Sequence, residues 1–182
     1  TMKIIILRHC KRFESPGFKT TLTNSGFLQA DALIEKLKHL DINVVMCSPF
    51  IRTIHTIFPY AMWNSKLIML ENSLIEYLDL DIHTRESIQY NFDTYGNYLK
   101  LGLNIHYNSF LTLEDVKIHE TEEQLHTRTR NFLEHIKYNF NETTNVLLVS
   151  HMSTCNSLKK YFVQNTGTED PFEMGSYEVY EL

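Results

Sequence analysis

The sequence has little cysteine, no long apolar run and no excess of positive charge. Three cysteines, Cys10, Cys47 and Cys155, stand among 182 residues. An odd number at scattered spacing argues against a disulfide framework and for free thiols in a reducing compartment. They show no pairwise ligand spacing, so no metal site is expected from them. No apolar stretch approaches the length of a membrane span, and the run at residues 3–7 is too short for a signal core. Lys and Arg, 17 together, are outnumbered by 22 Asp and Glu, which leaves a net charge of −5. Nucleic-acid-binding domains are usually strongly basic, so a general nucleic-acid surface is not expected. Internal repeats, low-complexity tracts and linkers are missing as well. The expectation is a single cytoplasmic domain over residues 1–182, with neither membrane nor nucleic acid as a partner. A hydrophobic share of 43% is enough for its core. Oligomeric state is not legible.

What is present begins at residues 3–12, K-I-I-I-L-R-H-C-K-R. An unbroken apolar run rich in β-branched residues suits a strand buried on both faces, as in a parallel sheet. Arg8, His9, Lys11 and Arg12 then fall at the carboxyl end of that strand, where open α/β sheets place their ligands. Cations beside a histidine point to an anion site. Phosphate fits best, because guanidinium forks match its oxygens.

Along the chain, Thr23 is a good N-cap for an amphipathic helix carrying Phe27, Ala30, Leu33, Ile34 and Leu37 to about residue 39. Residues 42–47 read as a second buried strand that stops at Ser48-Pro49, since proline cannot extend a ladder. A helix over 50–62, interrupted near Pro59, carries Arg52 in its first turn. Residues 66–70 form a third strand, and 74–77 a loop. Residues 78–119 are rich in Tyr, Phe and Asn without a clear period. They are read as an inserted lid with some helix, most of whose aromatics pack it onto the domain. Residues 121–124, T-E-E-Q, match a capping box for a helix to about 141. A fourth strand at 146–149 runs into Ser150-His151. Ser153 caps a last helix to 163, and 177–182 alternates like an edge strand. Strands alternating with helices predict a mostly parallel sheet covered on both faces, a three-layer α/β/α sandwich.

In such a sheet Arg8-His9, Arg52 and Ser150-His151 open on one edge. A neutral imidazole can attack phosphorus. Arginines hold the nonbridging oxygens and offset charge in the transition state, and a second imidazole can donate to the same group. A carboxylic acid is still needed to protonate the leaving oxygen. Blander roles exist for each residue. A strand-end histidine is often only hydrogen-bonded structure, Arg52 can pair with a surface acid, and Arg12 can be a solvated loop cation. Glu76 shares its neighbourhood with Glu71, Asp79 and Asp81, and spacing alone does not choose among them.

The segments together resemble a known family. R-H-C-K-R resembles the R-H-G motif of the histidine phosphatase superfamily, the phosphoglycerate mutase-like proteins. L-T-N-S-G-F-L-Q-A is similar to its L-T-x-x-G-x-x-Q-A helix start, and C-S-P-F-I-R-T-I-H-T to its S-P-x-x-R-T-x-Q-T segment. E-T-E-E-Q-L-H-T-R resembles its E-S-x-x-x-x-x-x-R helix, and L-L-V-S-H-M-S-T its second histidine motif. The matches cover about residues 3–76 and 120–155 in family order. Arg12 resembles the second arginine of R-H-G-x-R, found in the phosphatases of the suppressor-of-T-cell-receptor-signalling type.

The resemblance implies a phosphoglycerate mutase-like fold and a phosphomonoester hydrolase working through a phosphohistidine at His9. Arg8, Arg52, His151 and Arg12 line the phosphate pocket in that reading. Glu76 is the proton donor and then the base that activates water. Met152 stands where the acid phosphatase branch has its donor Asp, which favours Glu76. No metal or cofactor is implied. The substrate is a phosphorylated small molecule or a phosphoprotein. Cys10 and Met152 replace glycines of the pattern, and His55 replaces a glutamine. They leave two alternatives open: a phosphate- or phosphopeptide-binding pseudophosphatase, and a phosphoglycerate mutase-type phosphotransferase. Cys10 also invites a redox role, against the commoner reading of a buried inert thiol.

Overall fold

Strand β1, Lys3–Arg8, lies inside the sheet, with residues 4–7 fully buried. In this computed structural model, which describes residues 1–163 and 171–182, β1 pairs in parallel with β4, Val146–Ser150, and antiparallel with β5, Tyr177–Glu181. β4 pairs in turn with β2, Val44–Cys47, and β2 with β3, Ile68–Leu70, both in parallel. The strand order is β3-β2-β4-β1-β5. Four parallel strands are the sheet that the apolar runs predict, and β5 adds an antiparallel edge.

Alternate residues divide the core into two layers. Ile5, Leu7, Val45, Cys47, Leu147 and Val149 face one cluster, filled by helices α1, Asn24–Leu37, and α2, Ile51–Trp63. Ile4, Ile6, Met46, Val146 and Leu148 face the other, filled by α4, Glu122–Asn139, and α5, Met152–Lys160. Register sets the functional edge. Arg8 stands opposite Ser150, and Cys47 opposite Val149 and Leu70. The chain therefore leaves β1, β2, β3 and β4 at one level.

Several element boundaries differ from expectation. β2 starts at Val44, because the Asn145 side-chain amide donates to the carbonyls of Leu40 and Asp41 and Asp41 turns left-handed (φ 48°). α2 runs through Pro59 without a break. Proline removes one N–H from the ladder, and buried Ile54, Ile57, Phe58, Tyr60 and Ala61 hold the helix on both sides of it. α5 is capped by His151, with Met152 as its first residue, and Ser153 lies inside its first turn. Residues 78–119 contain a one-turn helix α3, Gly96–Lys100, and short 3₁₀ turns. Ile88, Tyr95, Leu99, Leu103 and Val116 from this segment are buried with Phe18 and Phe50 in the first core cluster.

Candidate active site

The loop after β1 carries His9, held from several sides. Its backbone N–H donates to Ser150 O (2.9 Å), and its carbonyl accepts from Gly175 N–H (2.9 Å). The next amide, Cys10 N–H, donates to Thr56 Oγ1 (2.8 Å). Lys11 N–H donates to Gln29 Oε1 (2.7 Å), and Thr23 N–H donates to Lys11 O (3.0 Å). A Cβ at Gly26 would stand 2.0 Å from Lys11 O, so only glycine lets α1 approach this loop. The segment L-T-N-S-G-F-L-Q-A thus braces the histidine from behind.

His9 is 2% exposed, and its Nδ1 lies 2.7 Å from Cys10 O. A carbonyl can only accept, so Nδ1 carries the proton and Nε2 keeps its lone pair. Burial pushes the imidazole pKa down to about 3, helped by Arg52, Arg8 and Arg12 and opposed by the Cys10 carbonyl. His9 is neutral at pH 7, the protonation state of a nucleophile.

His151 faces it, ring centroids 5.4 Å apart and edge-on at 62°. Its Nε2 is hydrogen-bonded to Ser48 Oγ at 2.9 Å. Burial, Arg52 and His9 hold its pKa well below the ordinary value. Phe50 forms the floor: its ring lies 4.9 Å from His151, 5.8 Å from His83 and 5.1 Å from the Arg52 guanidinium carbon.

Arg52 is fully buried. It donates from Nη1 to Gly17 O (2.7 Å) and from Nη2 to Pro16 O (3.1 Å), and it forms an ion pair with Glu76. Burial lowers its pKa to about 10, against the attraction of Glu76, so it stays charged at neutral pH. Arg8 donates to Phe172 O (2.6 Å). Arg12 donates to the carbonyls of Phe13 and Glu14, both at 2.7 Å, and its charge is felt by His9, Arg52, Glu76 and His151. All the residues singled out from the sequence, Arg8, His9, Arg12, Arg52, Glu76 and His151, therefore meet at one edge of the sheet.

Buried nitrogen atoms distinguish this edge. Nε of Arg8, Arg12 and Arg52, Nδ1 of His151 and Nε2 of His83 have no hydrogen-bond partner among the described residues. Buried polar groups are normally satisfied. A cluster of partnerless donors around three guanidinium groups suits an oxyanion.

Glu76 is fixed through its backbone. Arg128 donates to the carbonyls of Ser73 (2.8 Å), Ile75 (3.2 Å) and Glu76 (3.3 Å), and it is paired with buried Glu120 at 2.7 Å. Ser150 Oγ donates to Leu74 O (2.6 Å) and Thr154 Oγ1 to Ile75 O (2.7 Å). Glu120 and Arg128 are the ends of E-T-E-E-Q-L-H-T-R. Their spacing was visible in the sequence, while their role as a strap was not. Burial raises the Glu76 pKa, opposed by Arg52 and Arg12. Glu71 faces away, into a cage of its own donors. No sequence motif marks His83. It sits in the aperiodic segment and approaches Glu76 Oε2 at 3.9 Å.

The departures from the motif pattern do not intrude on the site. Cys10 is buried, and burial raises its pKa to about 11, as for an inert thiol. Met152 is 40% exposed on α5. His55 packs edge-on against Phe27, ring centroids 5.1 Å apart. Among the described residues no three His, Cys, Asp or Glu side chains are placed to hold a metal ion, and no helix is long and apolar enough to cross a membrane.

Comparison with known proteins supplies a second line. The model of the histidine phosphatase superfamily (branch 1) matches residues 4–180. No curated protein matches the chain significantly. Among solved structures, a mycobacterial glucosyl-3-phosphoglycerate phosphatase with inorganic phosphate superposes with a TM-score of 0.68 at 17% identity, covering 98% of this chain and 89% of that one. A putative α-ribazole-5′-P phosphatase from Escherichia coli gives 0.67 at 18%, covering 98% and 89%. The ecdysone phosphate phosphatase from Bombix mori, in complex with tungstate, gives 0.62 at 14%, covering 98% and 88%. At these identities the likeness establishes the phosphoglycerate mutase-like fold.

Proposed function

The chain belongs to branch 1 of the histidine phosphatase superfamily, and on that premise we propose that it hydrolyses phosphomonoesters in two steps through a phosphohistidine at His9. The family supports a phosphatase or phosphotransferase type of activity. The observation that carries the finer reading is the neutral His9, with its Nδ1 proton committed to Cys10 O and with Arg8, Arg12 and Arg52, each with a buried partnerless Nε, close enough to act on it by charge.

In the first step Nε2 attacks phosphorus and the bond from phosphorus to the ester oxygen breaks. Glu76, as the acid, gives its proton to that oxygen, and the alcohol leaves. The charge that develops on the imidazole strengthens its bond to Cys10 O. Arg8, Arg12 and Arg52 hold the nonbridging oxygens. With Ser48 Oγ donating to Nε2 of His151, Nδ1–H of His151 adds a neutral donor. The incoming dianion also competes with Glu76 for Arg52, which favours the protonated acid that this step needs. In the second step water attacks phosphorus while the Glu76 carboxylate takes its proton. The nitrogen–phosphorus bond breaks, its electron pair returns to Nε2, and phosphate departs.

The substrate in this reading is a phosphorylated small molecule, the class named for the similar structures. A phosphoprotein is the other class that the same chemistry admits. The test is trapping. Wild-type protein mixed with an aryl phosphate and quenched in alkaline denaturant carries a phosphoryl group that acid removes. His9→Ala carries none and loses about 10⁴-fold or more in turnover. A chelator leaves wild-type turnover unchanged. A phosphoryl group on His9→Ala, or turnover that a chelator abolishes, would overturn the reading.

A further inference from the structure

His83 belongs to none of the motif segments, yet it reaches the site from residues 78–119. It is 2% exposed, its ring lies against Phe50 at 5.8 Å, and its backbone N–H closes a turn onto Leu80 O (3.1 Å). Nε2 is buried, has no hydrogen-bond partner among the described residues, and stands 3.9 Å from Glu76 Oε2. That separation is too long for a hydrogen bond, but a small rotation of the carboxyl closes it, and such bonds commonly tighten when substrate arrives.

We propose that His83 is a positioning residue for the proton donor: its Nε2–H and the Arg52 guanidinium hold the same oxygen of Glu76, Oε2, and so fix the transferable proton on Oε1. The proposal rests on the reading of Glu76 as the acid. An oxygen that accepts two donors is a poor place for a proton, whereas its partner oxygen remains free. The proton therefore sits on a defined atom with a defined direction, which is what protonation of a leaving oxygen requires. Besides Glu76, the charged groups that act on His83 are Arg52 and Asp79. Burial, followed by Arg52, lowers its pKa, so at neutral pH it is an uncharged imidazole, and the proposal assigns it the Nε2–H tautomer. Phe50 packs against both His83 and His151, so the two rings share one hydrophobic floor.

Leaving-group dependence separates this role from a merely structural one. p-Nitrophenolate leaves with little need of a proton, and benzyl alkoxide does not. His83→Gln keeps an amide N–H where Nε2 stands, whereas His83→Asn places it where Nδ1 stands. Expected for His83→Asn is a fall of about 30-fold in kcat for benzyl phosphate and less than about threefold for p-nitrophenyl phosphate, with His83→Gln recovering to within about threefold of wild type. In a Glu76→Gln background His83→Asn costs nothing further. Vanadate binding and the unfolding midpoint report whether each variant is folded. Should the Asn variant not fold, the Gln variant decides alone, since a benzyl phosphate rate that collapses in it overturns the proposal. Equal losses on both substrates, or none, for His83→Asn also overturn it. If Glu76→Gln is selective for benzyl phosphate and His83→Asn is not, only the role of His83 fails. If Glu76→Gln is not selective, the assignment of Glu76 fails first.

Discussion

Glu71 and Glu76 lie five residues apart on one loop, and their surroundings are opposite. Glu71 is completely buried and meets no cation among the described residues, yet both of its oxygens are saturated. Oε1 accepts from Tyr107 Oη (2.6 Å) and Phe110 N–H (2.7 Å), and Oε2 accepts from Ser73 N–H (2.9 Å) and Ser109 Oγ (3.0 Å). Glu76 has Arg52 as its hydrogen-bond donor and is surrounded by buried nitrogens that lack partners. A polar group that serves structure is satisfied at rest, whereas one that serves a reaction leaves capacity for the substrate. The Glu71 cage ties residues 107–111 to the end of β3. It is one of the contacts that fasten the aperiodic segment from which His83 comes.

Removing each carboxylate breaks the comparison in a different way. Glu71→Ala strips acceptors from four donors, at a cost of roughly 3–5 kcal/mol in stability. The measurement is the midpoint of urea unfolding. A loss below about 1 kcal/mol would show the cage to be incidental. Glu76→Gln has the complementary profile. Its kcat on an alkyl phosphate falls by about 10²–10³-fold, while the unfolding midpoint moves by no more than about 0.5 kcal/mol. A variant that loses stability and keeps its rate would exchange the two roles.

The same contrast explains what the sequence discloses. The buried strands and the strand-end residues Arg8, His9, Arg52 and His151 are legible because each motif is local and parallel pairing brings the strand ends level. The choice of Glu76 over Glu71 comes from the family resemblance and not from spacing. Both are loop acids, and what separates them is Tyr107, Ser109 and Phe110 on one side and Arg52 on the other, all distant in sequence. Residues 78–119 carry no period because their order is tertiary. Arg85 donates to the carbonyls of Leu113 (2.6 Å) and Val116 (2.8 Å), and Tyr95 Oη donates to Pro49 O (2.6 Å). His83 is one of three histidines in that stretch, with His106 and His119, and no spacing marks it out. Pro59 misled in the other direction, since a local rule yields to the packing of its neighbours.

The smallest expected effect tests the cost of leaving capacity unfilled. His9 and His151 are held neutral in the folded protein, with pKa values below the ordinary 6.5 and that of His9 about 3. Unfolded, each binds a proton as pH falls through about 6.5, whereas the folded protein does not until far lower. Over that window the unfolded state holds more protons, so stability is lost as pH falls, by about 1.4 kcal/mol per pH unit for each histidine below pH 6. Melting temperatures between pH 7.5 and 5 should decline accordingly. His9→Asn should remove one histidine's share, flattening the slope by about 1.4 kcal/mol per pH unit. The Glu71 cage predicts no such coupling to His9, so Glu71→Gln should shift the whole curve without changing its slope in that window. A slope that His9→Asn leaves untouched would mean that the imidazole is not held neutral, and a nucleophile charged in the resting protein has no lone pair to offer phosphorus.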